Sequence, residues 1–114
     1  MPNTFTFAPA PLVLDAAAII ADARAARAEY EQLVNILDGA IAPSTWRRVA
    51  DELHRTGALM LLLITTKQVP AGWILTHDQV RCHVDRAKDA DHNAVYAERM
   101  ASAAREYTCV EVVS

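Results

Sequence analysis

At 114 residues and a net charge of −3, the chain fits one domain, 1–114, able to bury about two-thirds of its unfolded surface without metal or disulfide staples. Only two lysines and an acidic balance make nucleic acid an unlikely main partner, since phosphate-binding domains gather cations on one face. The two cysteines, Cys82 and Cys109, form no disulfide framework, and the start has no basic, apolar leader pattern, so a cytoplasmic setting is expected.

Thr4 to Phe7 alternates as a short strand would, and Pro9 and Pro11 stop it. Asp15 suits the N-cap of a long amphipathic helix. Ile20, Ala23, Tyr30, Val34 and Leu37 share its stripe, Ile19, Ala26, Leu33 and Ile36 lie beside them, and Gly39 is placed to end it. A second helix starts near Ser44, behind Pro43, with Trp46, Val49, Ala50 and Leu53 as its apolar stripe. Arg48 with Glu52 and Asp51 with Arg55 are four apart and able to pair on its wet side, and Gly57 reads as its stop.

Ala58 to Ile64 then contains an unbroken run of large apolar residues, too short for a bilayer, which takes about 20. Trp46, Val49, Leu53, Met60 and Ile64 keep a helical period through Gly57, which allows one continuous helix. The glycine and the Ile-Thr-Thr ending favour a strand with cover on both faces. After a loop over 67–72, Trp73 to Asp85 alternates. A turn at His77-Asp78 sets Leu75 opposite Val80 and Trp73 opposite Cys82, with Gln79, Arg81, His83 and Asp85 on the other face. The rival reading takes Thr76 and Gln79 as a capping box that opens a helix. A third helix is expected from Asp91 to Tyr107, with Tyr96, Met100, Ala103 and Tyr107 in one stripe and Ala97, Ala101 and Ala104 alongside. A last strand is expected over Thr108 to Val113. The order β-α-α-β-β-β-α-β describes an α+β domain with an antiparallel sheet of three to five strands and three helices. A mostly α helical bundle is the alternative.

Chemistry is sparse. Asp51 with His54, and Asp89 with His92, are spaced to share a helix face, but bridged metal sites of this kind use glutamates from several helices. On the strand reading, Cys82 and His83 face apart, so with His77 they do not converge on zinc. No serine elbow or phosphate-cradling glycine loop is present. Neither a catalytic group, nor a metal, nor a cofactor is therefore assigned. The expected role is a small non-enzymatic protein-binding module (an inhibitor, adaptor or assembly subunit) that also self-associates as a homodimer. Its docking patch is an apolar sheet face including Ile74, rimmed by Arg47, Arg48, Gln79, Arg81, His83 and Asp85. A metal-dependent or hydrolytic enzyme is one alternative, and a nucleic-acid-directed toxin or regulator is the second.

Overall fold

The computed structural model describes residues 12–36 and 41–113, with side chains described up to 106. Among the described residues the order is three helices: α1 over Ala16–Val34, α2 over Pro43–Thr65 and α3 over His77–Val113. The α+β expectation is therefore wrong, because the described residues contain no strand and the helical-bundle alternative holds. Ala58 to Ile64 belongs to α2, the alternating segment from His77 onward is the first half of α3, and 108–113 continues the α3 backbone. The expected strand at Thr4 to Phe7 and the glycine cap at Gly39 lie outside the described residues.

Local chemistry explains each helix start. The Asp15 carboxylate accepts from the Ala18 amide at 3.1 Å and caps α1. Pro43 opens α2, where its missing N–H costs nothing. Thr76 and Gln79 cap α3 reciprocally, with the Gln79 amide donating to Thr76 Oγ1 (3.2 Å) and the Thr76 amide to Gln79 Oε1 (2.9 Å). A helix that begins there has no room for a turn at His77-Asp78. At the far end of α2, the Gln68 amide bonds to the Leu63 carbonyl and the Lys67 amide to that of Ile64, a Schellman closure. Lys67 takes the left-handed position of that closure with φ 58°.

Packing follows a three-and-four spacing on every helix. The buried seam of α1 is Ala16, Ile19, Ala23, Ala26 and Leu33. α3 contributes Val80, His83, Ala87, Ala90 and Ala94. α2 lies between them and carries a wider buried band, from Trp46, Val49 and Ala50 to Met60 and Leu63. The band of α2 is wide because it serves two neighbours. Leu59 and Ile64 pack against that band, Leu62 is half-buried and Leu61 is exposed, so the apolar run is covered in part by its two neighbouring helices. Small alanines on α1 and α3 bring the backbones close. Tyr30 and Trp46 meet edge to face with centroids 6.4 Å apart.

Gln68 also fastens the chain ahead of α1. Its Oε1 accepts from the Leu14 amide at 2.8 Å, and its Nε2 donates to the Leu12 carbonyl at 2.7 Å. Replacing Gln68 with Ala removes two backbone bonds across the fold. It is expected to lower unfolding free energy by about 1–2 kcal/mol in urea titration, with faster hydrogen exchange at the Leu14 amide. An unchanged exchange rate at Leu14 rejects this role for Gln68.

Among the described residues no helix is long and apolar enough to cross a membrane. The 37 residues of α3 run about 55 Å. Pro43, at the start of α2, lies beside Glu98 to Arg105, so the end of α3 continues beyond its neighbours.

Candidate functional site

The residues expected to rim one docking face are dispersed by the helical structure. Positions two apart share a face on a strand but lie about 200° apart on a helix. Gln79 is used in the α3 cap, and Arg81 pairs with Asp78 at 2.9 Å. Asp85 is exposed, while His83 is only 4% exposed and faces α2. Ile74 is 81% exposed in the loop before α3, far along the chain from the start of α2. Arg47 pairs with Glu98, and Arg48 makes a two-pronged contact with Glu29, one bond at 3.0 Å. These two arginines tie α2 to its neighbours.

The charged seam between α1 and α2 continues with Arg55, which bonds Glu52 (2.6 Å) and Asp22 (3.1 Å). Arg48 hydrogen bonding holds the Glu29 carboxyl below its ordinary value, and Arg55 does the same for Glu52. Arg48 and Arg55 satisfy the acids they meet, so these pairs hold α1 and α2 together.

The metal candidates separate. His54 bonds Asp91 across helices at 2.7 Å, not Asp51. Asp89 accepts from the Tyr30 hydroxyl at 2.6 Å and from Asn93, and His92 is exposed. Burial, with the Asp89 carboxylate second, pushes the Tyr30 hydroxyl up to about 12, so it remains a donor at neutral pH. Cys82 is exposed while His83 is buried. No group of three metal-ligating side chains converges among the described residues.

What the structure does assemble is an apolar groove of about 700 Å³ where α1 ends and α3 runs on. Ile36, Ile41 and Pro43 form one wall, Trp46 the floor, and Tyr96 and Met100 the other wall. Tyr96 is 61% exposed, Met100 51% and Ile36 48%. Large apolar side chains this open, gathered in one concavity, are unusual on a surface that faces only water. Tyr96 and Met100 were expected to share a stripe, but the bundle packs on the alanine row instead: Ala94 is fully buried and Ala97 packs on the core. The tyrosine–methionine row is thereby left outside, lining the groove. Sequence periodicity identified the row but could not show which of two adjacent rows the bundle would use.

A second, less enclosed group of exposed apolar residues, Leu12, Val13, Trp73 and Ile74, lies in the segments flanking α1 and α3. It contains no concavity shared by all four. No family model, curated protein or solved structure matches the chain.

Proposed function

We propose that this chain is a helical protein-binding module whose docking site is the groove between the end of α1, the start of α2 and the middle of α3. The observation that carries this reading is the geometry of the open walls. The groove continues the path of α1 along α3 past Val34, so an incoming amphipathic helix takes the place of the turns that α1 lacks. Such a helix covers Ile36, Tyr96 and Met100 together, with Trp46 as a rigid aromatic floor of the kind that dominates binding energy.

The test is a photo-crosslinking amino acid at position 100, with position 85 on exposed α3 surface as the control. In extract of the native host, position 100 is expected to capture a polypeptide that position 85 does not. Met100→Glu, combined with a crosslinker at position 96, should abolish that capture. Equal labelling at 85 and 100, or capture indifferent to Met100→Glu, overturns the reading.

A further inference from the structure

The occupant of the groove can be taken further, resting on the docking role just proposed. The geometry points to a second copy of this chain, paired antiparallel along α3 about a two-fold axis between residues 101 and 102. Two observations carry this.

The first is the spacing of the open face. Asn93, Tyr96, Met100 and Ala103 follow a three-four-three pattern on α3, the seam of an antiparallel helix pair, and the bundle leaves Tyr96, Met100 and Ala103 exposed. Ala103 then lies beside Met100 of the other copy and is small enough for the two backbones to approach.

The second is charge. Arg99 and Glu106 flank this seam on one side, seven residues apart, and both are exposed. Neither makes an ion pair within the described chain, so both charges are open to a partner. In an antiparallel pair centred between 101 and 102, the flanking positions meet across the seam, so position 99 of one copy lies beside position 106 of the other. Arg99 of each protomer therefore faces Glu106 of its partner, twice per dimer. The same operation lays the α3 backbone beyond Met100 over the other copy's groove. A surface complementary to itself in both shape and charge is what a closed dimer requires.

The experiment measures association of the purified full chain by sedimentation equilibrium at moderate salt. The wild type is expected to be a dimer. Arg99→Glu and Glu106→Arg each set like charges against each other twice and should weaken the dimer about tenfold or more. Mixing the two single variants puts opposite charges back at both positions of a heterodimer, so the mixture should regain wild-type association. The double variant Arg99→Glu/Glu106→Arg should regain it alone, and circular dichroism checks that each variant keeps its helices. A wild-type chain that stays monomeric at the highest attainable concentration, or a mixture no tighter than its components, overturns the pairing. A monomer whose position 100 still captures another polypeptide rejects the self-pairing and leaves the docking role standing. A monomer with no capture rejects both.

Discussion

Gly57→Ala is expected to destabilise the protein by about 1 kcal/mol, against the ordinary trend for glycine within a helix. Exposed helix interiors favour Ala over Gly by about 1 kcal/mol, so replacing this residue, in the middle of α2, should help if the helix stood alone. It does not stand alone. A Cβ built on Gly57 lies 2.9 Å from Val84 Cγ2 and 3.4 Å from His83 Cδ2. Val84 is β-branched, with one strongly preferred rotamer in a helix, so its methyl cannot swing aside cheaply. Adding a methyl group there forces α3 away from α2 where Val84 and His83 meet Gly57. Gly57→Leu should cost about 3 kcal/mol or more, by overpacking. The discriminating measurement is a double-mutant cycle in urea: with Val84→Ala in place, Gly57→Ala should change sign and become stabilising by up to about 1 kcal/mol. If Gly57→Ala already stabilises the wild-type chain, the glycine is not required by the crossing.

That glycine also shows why the sequence misled. Read alone, Gly57 after His54 and Arg55 has the form of a helix stop, and the apolar run beyond it has the form of a buried strand. What decides between stop and crossing point is the neighbouring helix, which a single sequence does not display. Helix α3 was hidden for a related reason. Its inward seam after Val80 and His83 is Ala87, Ala90 and Ala94, which offers little hydropathic contrast. The alternation of Val80, Cys82 and Val84 is more visible and points to a strand. The reciprocal Thr76–Gln79 cap was the local signal that named the helix correctly. Large side chains with a clear period were legible: α1 with its Asp15 cap, and the stripe of Trp46, Val49, Ala50 and Leu53 on α2. The candidate site was legible only in part. Tyr96 and Met100 stood out, but their exposure depends on Ala94 and Ala97 having taken the inner side of α3.

Thr56→Val should lower unfolding free energy by about 2 kcal/mol, although the side chains are nearly the same shape. Thr56 is fully buried on α2, and its hydroxyl donates to the Glu52 carbonyl at 2.7 Å. That leaves its oxygen to accept from His83 Nε2, also at 2.7 Å, which fixes the proton of the neutral imidazole on Nε2. Valine removes the acceptor and leaves a buried ring N–H with no partner, so the loss comes from desolvation more than from the bond itself. Replacing both residues, as Thr56→Val/His83→Leu, should recover most of the loss. The same pair sets a pH dependence. Burial, then the positive charges of Arg86 and Arg27, push the His83 imidazole below its ordinary value of 6.5. Above pH 6.5 the ring is neutral in both folded and unfolded chains. As pH falls below 6.5, the unfolded chain takes up a proton that the folded chain refuses, so stability declines until the folded ring also titrates. Between pH 7 and pH 5.5, the wild type should lose stability more steeply than His83→Leu. Parallel curves for the two proteins over that range would show that His83 is as easily charged in the fold as in water, and that the contact between α2 and α3 does not depend on a neutral ring.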